Sequence, residues 1–547
     1  MDEQNNDQLK TKTDKSCKVH RTTDMDKNKP AYCVTDVPPW YLCIFLAVQH
    51  YLTAFSGIIS IPLILSEGLC LQHDSLTQSL LINNIFFVSG ICTVMQVIFG
   101  VRLPILQGGT FALVTPAMAV LSTPQWKCPA WTQNATLVNT SSPVFIEEWQ
   151  TRMRVLQGSI MVASVLQILV GFSGFIGFLM RFIGPLTIAP TVSLLGLSLY
   201  TSAGDKAGSH WGISAMTTAL IILFSQYLRL NPLPVPAYSK TKKLHTSKFY
   251  ILLGLAISWL VCHLLTVFDV LPSDPAHYGY LARTDVKGDV VSEASWFRLP
   301  YPGQWGTPTV NLAAVVGLLA GIICSMAESV GDYHACARLA GAPPPPKHAI
   351  SRGIGIEGIG CLLAGAFGTG NGTTSFSENV AALGITKVGS RAVILLSGLF
   401  MILLGMLGKI GAIFTTIPTP VTGGMFLIMF GVIAAAGISN LQFTDMNSSR
   451  NIFVFGFSVF SALAIPDWIT RNPEFLETGV KEVDQVLRVL LTTHMFVGGS
   501  LGFFLDNTIP GKLTQRTVTE HPNAPSHSQS KSTDLHTSLG PSSVKNL

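Results

Sequence analysis

The feature that most constrains this chain is a series of apolar runs, each long enough to cross a lipid bilayer. A helix needs about 20 apolar residues to span the hydrocarbon core. Twelve runs approach or exceed that length: 40–65, 77–100, 153–173, 175–199, 209–229, 249–269, 308–331, 350–366, 392–413, 418–437, 451–466 and 485–506. Only 12% of the 547 residues are charged, against about 25% in soluble domains. We therefore predict an all-α membrane protein.

Two further apolar stretches, 101–123 and 367–388, are interrupted by Gly, Pro and polar residues. With them the chain has fourteen predicted segments, and the interrupted ones are the third and the tenth. Two repeats of seven have opposite orientations because seven is odd, and inverted repeats with broken helices are typical of secondary transporters. The predicted regions are, in order, a disordered cytosolic tail (1–37), the first repeat (38–270), an extracellular loop (271–307), the second, inverted repeat (308–508) and a second disordered cytosolic tail (509–547).

The charges in the loops indicate the orientation. The loop after the sixth segment carries five basic residues and no acidic one, so the positive-inside rule places it in the cytosol. The segment 124–152 then lies outside, and it holds two glycosylation tripeptides that begin at Asn134 and Asn139. We predict a multi-pass plasma-membrane protein with both termini in the cytosol and glycans on these two asparagines.

Several classes of function are not expected. The ten cysteines form no C-x-x-C motif, and those in the apolar runs are interpreted as small buried residues rather than zinc or redox sites. No basic stripe interleaved with aromatic residues suggests a nucleic-acid partner. Because the sequence shows no nucleophile–base pair or metal cluster, we expect neither an enzyme nor a bound cofactor.

The tenth segment contains an unusual polar stretch. Residues 368–375, GTGNGTTS, consist of glycines, hydroxyl residues and one amide, and such backbone survives at membrane depth only against protein or a water-filled cavity. The following residues, about 379–388, suffice for a half-helix of roughly 15 Å. We predict an extended arm leading into a half-helix, with Glu378 and Asn379 at its N-terminus. The third segment repeats this arrangement, with Thr110 and Phe111 at the corresponding point.

Ionisable residues at membrane depth are costly and usually functional. Glu328, Asp332 and Glu378 are the main candidates, and Asp332 lies one helical turn after Glu328. His50 is a weaker candidate, since a histidine bonded to a neighbouring helix would give the same pattern. The hydroxyl groups of 373–375 belong either to a site or to close helix packing.

The two carboxylates of Glu328 and Glu378 restrict the ligand that one pocket could hold. They repel each other unless a proton, a cation or donor groups compensate their charge, and an anionic ligand would meet like charge. A flat neutral molecule rich in N–H groups, such as a nucleobase, could donate to both carboxylates and stack on Phe111.

From about residue 37 to 508 the chain resembles the nucleobase–ascorbate transporter family. The shared motifs are Gln49-His50, Glu328-Ser-Val-Gly-Asp332 and Glu378-Asn379 followed by Thr386-Lys387. The family signature has glycine where this chain has Ala381, which leaves the choice among bases open. The motif Asp445-Met-Asn-Ser-Ser-Arg450 is similar to a motif of the family's vertebrate branch. That branch includes sodium-dependent ascorbate and nucleobase transporters.

This resemblance implies roles for individual residues. The expected substrate-binding residues are Gly57, Thr110, Phe111, Glu328, Ser377, Glu378 and Asn379, with backbone N–H groups donated at Phe111 and Ser377. Asp332, with Gln49 and His50, is expected to serve the coupling ion, sodium. Ascorbate members look to carry Pro at the position of Glu378, which favours a nucleobase.

The resemblance also implies a mechanism. Core segments 1–4 and 8–11 would move against gate segments 5–7 and 12–14, usually within a homodimer. We expect a sodium-coupled nucleobase symporter that works by alternating access. The alternatives are a sodium-dependent ascorbate transporter and a membrane sensor that does not transport.

Overall fold

A computed structural model of the protein describes residues 32–133, 138–179, 181–227, 249–386 and 388–510. Most of both predicted tails, the basic loop at 228–248, Asn134 and Lys387 lie outside these ranges.

Helices form most of the described structure. The first half contains α1 (Trp40–Gly68), α2 (Ser75–Ile98), β1 (Gln107–Gly109), α3 (Phe111–Leu121), α4 (Pro143–Ser173), α5 (Pro185–Leu197), α6 (Tyr200–Gly208), α7 (Trp211–Ile222) and α8 (Phe249–Val267). The second half contains α9 (Asp289–Glu293), α10 (Leu312–Leu339), α11 (Lys347–Phe367), β2 (Thr373–Ser375), α12 (Ser377–Thr386), α13 (Arg391–Met406), α14 (Gly408–Thr415), α15 (Thr419–Ser439), α16 (Ser449–Arg471), α17 (Lys481–Thr492) and α18 (His494–Thr508). Short helical turns lie at Ala130–Gln133, Ile176–Leu179, Leu223–Tyr227, Tyr280–Ala282, Asn440–Phe443 and Pro473–Phe475.

By length and composition, eight of the described spans could cross a membrane, or ten if each bent helix pair counts as one span. The bent pairs are α13–α14 and α17–α18, with bends of 82° and 80°. The prediction of an all-α membrane protein is thus confirmed. The count of fourteen segments and their inverted relation remain predictions.

The helices form two bundles. The core bundle consists of α1–α4 and α10–α14 with both strands, and the gate bundle consists of α5–α8 and α15–α18, of which α17 also packs closely against α10 of the core bundle. In the core bundle α11 packs along α4 and α13 along α2, whereas in the gate bundle α15 and α18 pack along α5. These groups agree with the predicted division into core and gate segments.

The two extended arms meet inside the core bundle. Strands β1 and β2 pair antiparallel, with Gln107 opposite Ser375 and Gly109 opposite Thr373. Both strands are buried, and a half-helix follows each of them. The predicted arms and half-helices are therefore confirmed. Because the strands pair with each other, their backbone N–H and C=O groups have hydrogen-bond partners within the protein and do not need water.

Helix α1 defines the two ends of the bundle. The N-terminal side is the side at which α1 begins, and the far side is the side at which α1 ends. On the N-terminal side, residues 32–36 pair with the loop between α12 and α13, because the backbone N–H groups of Gly389 and Arg391 donate to the carbonyl oxygens of Tyr32 and Val34. The end of the predicted tail is therefore part of the core bundle.

A disulfide on the far side joins Cys70, just after α1, to Cys128 in the segment between α3 and α4. The sequence pattern did not indicate this bond. The free cysteines in the described ranges, among them Cys43, Cys92 and Cys262, are buried. Their interpretation as small buried residues is confirmed.

Candidate functional site

The hydroxyl group of Ser377 lies between two carboxylates. Its Oγ is 2.9 and 3.0 Å from the two oxygens of Asp332 and 3.3 Å from Oε1 of Glu328. Ser377 begins α12, whereas the two acids lie one turn apart on α10. Glu378, the next residue on α12, is partly exposed, as are Glu328 and Ser377. The structure thus brings three predicted acidic residues to the start of one half-helix.

The starts of both half-helices carry the backbone N–H groups that the sequence predicts as donors. The first N–H groups of any helix lack a carbonyl partner in their own helix and lie at the positive end of the helix dipole. Phe111 begins α3 and Ser377 begins α12, as the predicted donor roles require. The hydroxyl of Thr110 accepts a hydrogen bond from Ala112 N.

Phe111 marks the boundary between the bundles. Its ring is largely buried and meets the ring of Phe430 on α15 edge-on, with centroids 6.0 Å apart. Since Phe430 belongs to the gate bundle, the site faces the surface along which the two bundles meet.

His50 joins α1 to the same half-helix. Its Nδ1 lies 2.7 Å from Oδ1 of Asn379, whose Nδ2 donates to the backbone oxygen of His50. His50 therefore forms a hydrogen bond to a neighbouring helix, which is the structural role that the sequence pattern could not distinguish from a role in a binding site. The side-chain amide of Gln49, 3% exposed, has no hydrogen-bond partner among the described residues. An unpaired amide is costly at this depth, so Gln49 retains capacity for a further partner.

Glu357 is a site residue that the sequence analysis missed. It is 2% exposed on α11, and its Oε1 accepts from Ser375 Oγ at 2.6 Å and from the Tyr333 hydroxyl at 2.8 Å. Gln107 Nε2 lies 3.4 Å from the same oxygen. The criterion that selected Glu328, an acidic residue inside an apolar run, applies equally to Glu357. This carboxylate ties both arms to α10 and α11.

The arm hydroxyls mainly hold the arms in place. Thr374 Oγ1 lies 2.9 Å from the hydroxyls of both Ser325 and Ser329 on α10, and Ser375 donates to Glu357. Of the two roles predicted for the hydroxyl groups of residues 373–375, these contacts favour close packing over ligand binding.

Gly57 meets an aromatic ring. A Cβ on Gly57 would lie 2.4 Å from Cζ of Phe376, and one on Gly108 would lie 2.6 Å from Cδ2 of the same ring. The two glycines therefore enclose Phe376, which follows β2 and precedes α12. In this structure Gly57 acts on the site through Phe376.

The remaining predicted residues lie around this centre. Ala381 is exposed and lies one turn after Glu378, on the same face of α12. Thr386 is the last residue of α12. Asn139 is exposed in the segment between α3 and α4.

Comparisons with known proteins give the family. The permease family model Xan_ur_permease matches residues 42–470. Rat solute carrier family 23 member 1 is 50% identical over 521 residues, which cover 93% of this chain and 86% of the relative. Human solute carrier family 23 member 2 is 50% identical over 503 residues, covering 90% of this chain and 77% of the relative. Nucleobase-ascorbate transporter 1 of Arabidopsis thaliana is 36% identical over 489 residues, which cover 87% of this chain and 89% of the relative.

The chain belongs to the nucleobase–ascorbate transporter family. Its relatives are named as solute carriers and transporters, so the expectation that it is not an enzyme is confirmed. Among solved structures, a murine solute carrier 26 family member A9 anion transporter is 14% identical, with a TM-score of 0.47, covering 86% of this chain and 68% of that one.

In this nucleobase–ascorbate transporter, the residues of the family signature lie next to Ser377. The family signature begins at Glu378-Asn379, and the structure places these two residues at the start of a half-helix, with the acids of α10 against Ser377 and His50 against Asn379. The departure at Ala381 adds a methyl group to the face of α12 that carries Glu378.

Proposed function

We propose that the protein is a sodium-coupled symporter that imports nucleobases across the plasma membrane. The observation that carries this proposal is the meeting of Ser377 with Glu328 and Asp332, directly beside Glu378. One hydroxyl has a single proton to donate, so it cannot satisfy both acids of α10 at once. The site therefore calls for further positive charge or further hydrogen-bond donors.

A nucleobase provides the hydrogen-bond donors that the carboxylates of the site require. Its ring N–H groups would donate to the carboxylates of Glu328 and Glu378, while the N–H groups at the starts of α3 and α12 would donate to its carbonyl oxygens. Phe111 begins the other half-helix, and its aromatic ring would stack on the planar base. Asn379, held by His50, fixes the first turn of α12.

Sodium supplies the positive charge in this proposal. Carboxylate and hydroxyl oxygens are ligands for hard cations, and Asp332 with Ser377 provides both kinds. The unpaired amide of Gln49 adds a further oxygen on α1. One sodium ion moved with a neutral base carries net charge, and the membrane potential then contributes about 2.3 kcal/mol per 100 mV.

The two bundles provide the moving parts. In an alternating-access cycle the core bundle carries the site past the gate bundle, so that the site opens first to one side and then to the other. We place the N-terminal side in the cytosol and the far side outside the cell. The Cys70–Cys128 disulfide supports this orientation, because such bonds persist in oxidising compartments. We further propose that the protein works as a homodimer.

Glu378 variants test the proposal. In Glu378→Ala the carboxylate that would accept a base N–H is removed, so sodium-driven uracil or xanthine uptake should fall about tenfold or more, as for the loss of a charge-assisted hydrogen bond. Glu474→Ala changes an exposed glutamate outside the site and should leave uptake unchanged. Uptake that survives Glu378→Ala at the original KM would contradict the assignment.

Ascorbate is the second candidate substrate. The observation that favours it is the 50% identity to members 1 and 2 of solute carrier family 23, since the vertebrate branch that the sequence resembles includes ascorbate transporters. The whole-chain similarity thus favours ascorbate more than a base, whereas Glu378 at the start of α12 favours a base. In the variant Glu378→Pro, a gain of ascorbate uptake would show that this position selects the substrate.

A further inference from the structure

An ion pair joins the two bundles at the far side. Lys206 Nζ of α6, in the gate bundle, lies 2.6 Å from Oε1 of Glu67 at the end of α1, in the core bundle. The side chains are 14% and 29% exposed, so water screens this pair less than a fully exposed one. Any movement that separates the far-side ends of the bundles must break it.

The end of α1 is held in place independently. Cys128 forms the disulfide with Cys70 and also lies 3.5 Å from the backbone oxygen of Glu67. Glu67 is therefore attached to the segment between α3 and α4, so its carboxylate is presented to Lys206 by a rigid part of the core bundle.

An apolar seal closes the same side of the molecule. Val489 of α17, in the gate bundle, packs in one buried cluster with Val120 at the end of α3 and with Ala313 and Ala314 at the start of α10. A Cβ on Gly317 would lie 2.5 Å from Cγ1 of Val489. The two bundles are thus in direct contact on the far side.

Helix α10 is exposed on the opposite side. Gly331 and His334 are exposed on α10, on the face that continues from Glu328 towards the N-terminal side. Beyond the adjoining backbone of α10, no described atom lies within 4 Å of the point that a Cβ on Gly331 would occupy. Helix α10 is thus exposed on the N-terminal side of Glu328, whereas the two bundles are in contact on the far side.

We propose that the Glu67–Lys206 ion pair is a latch that holds the far side closed and must break each time the site opens there. This inference rests on the alternating-access mechanism proposed above. It adds a specific pair, outside the substrate site, that sets the balance between the two conformations.

A neighbouring lysine makes the carboxylate the more important partner. Lys287, in the loop between α8 and α9, is close enough to Lys206 to feel its charge, and burial together with that charge lowers the pKa of Lys287 to about 8. Without the charge of Glu67, the two ammonium groups would repel each other. We therefore expect Glu67→Gln to have a larger effect than Lys206→Gln.

Thiol labelling of a cysteine introduced into the seal tests the latch. Ala313→Cys places a small thiol at a position that is 5% exposed in the closed form, so its reaction rate reports the fraction of molecules open on the far side. Purified protein in nanodiscs, free of substrate, is treated with a charged thiol reagent, and the labelling of protein that retains Ala313 is subtracted. Adding Glu67→Gln should raise the rate about two- to fivefold, the range for an ion pair of this exposure.

The chain offers a matched control. Arg450 and Asp506 form an ion pair of 3.0 Å with side chains 18% and 21% exposed, and both lie in the gate bundle. Adding Asp506→Asn should leave the labelling rate of the introduced cysteine unchanged. The charge exchange Glu67→Lys with Lys206→Glu should restore the original rate.

Two results would overturn the proposal. One is an unchanged rate in Glu67→Gln, or a change equal to that in Asp506→Asn. The other is a charge exchange that fails to restore the rate although the protein keeps its thermal stability. Because labelling is measured without substrate, failure of the latch is distinguishable from failure of the transport proposal, which tracer uptake measures separately.

Discussion

Ser377 shows how a single hydroxyl organises the centre of the site. It touches both acids of α10 and begins the half-helix that carries Glu378 and Asn379. Like charges this close destabilise the site unless something positive or proton-donating joins them. In our proposal, the cation and the donor-rich ligand supply this compensation.

Gly57 provides a residue-scale prediction. In Gly57→Ala the new methyl group would stand 2.4 Å from Phe376 Cζ, and the ring cannot retreat because Gly108 lies against it. Overpacking of this kind costs about 1–3 kcal/mol, so thermal stability and uptake should both fall.

Gly456→Ala is the matched control for this change. Gly456 is a helical glycine on α16, and beyond the adjoining helix backbone no described atom lies within 4 Å of the point that its Cβ would occupy. Alanine is favoured over glycine in a helix by up to about 1 kcal/mol, so this variant should be neutral or slightly stabilised. Equal melting temperatures for the two variants would contradict the packing described around Phe376.

Sequence alone predicts part of the candidate site for identifiable reasons. Charge is rare in apolar runs, and this signal predicts Glu328 and Glu378 as site residues and applies equally to Glu357. The pairing of Glu357 with Tyr333 and Ser375 could not be found in this way, because it joins three segments whose packing the sequence does not encode locally. The Cys70–Cys128 bond was missed since the two residues are 58 positions apart.

At the scale of elements, the arms depend on supports from several helices. The run of glycines and hydroxyl residues at 368–375 predicted an extended arm, because such residues favour neither a helix nor burial in lipid. Its antiparallel pairing with β1 adds a second support. Residues 32–36 support the other end of the half-helix α12 through Gly389 and Arg391, and this support leaves no sequence signal because it consists mainly of backbone hydrogen bonds.

The support from residues 32–36 leads to a prediction. Arg391 begins α13 and its N–H donates to Val34 O at 3.2 Å. Arg391→Pro removes that donor at a position where proline suits a helix, whereas Arg391→Ala removes the charge and keeps the donor. The proline variant should be less stable than the alanine variant by about 0.5–1.5 kcal/mol, one net hydrogen bond, measured by thermal unfolding in detergent. A proline variant as stable as the alanine variant would show that this segment does not support the core bundle.

At the scale of the whole molecule, orientation is testable through glycosylation. Asn139 is exposed between α3 and α4, in the segment that the Cys70–Cys128 bond ties to α1. In mammalian cells, a glycosidase should increase the electrophoretic mobility of the protein. The variant Asn134→Gln with Asn139→Gln should show no such shift. A wild-type protein that the glycosidase leaves unchanged would argue against an extracellular far side.

Transport itself is tested most directly by tracer uptake into cells that express the chain. Labelled uracil, xanthine and ascorbate are supplied in sodium medium and in medium with choline in place of sodium. We predict saturable uptake of a base that requires sodium and exceeds that of cells lacking the protein. Ascorbate uptake without base uptake would contradict the role given to Glu378, and uptake of none of the three would favour a sensor that does not transport.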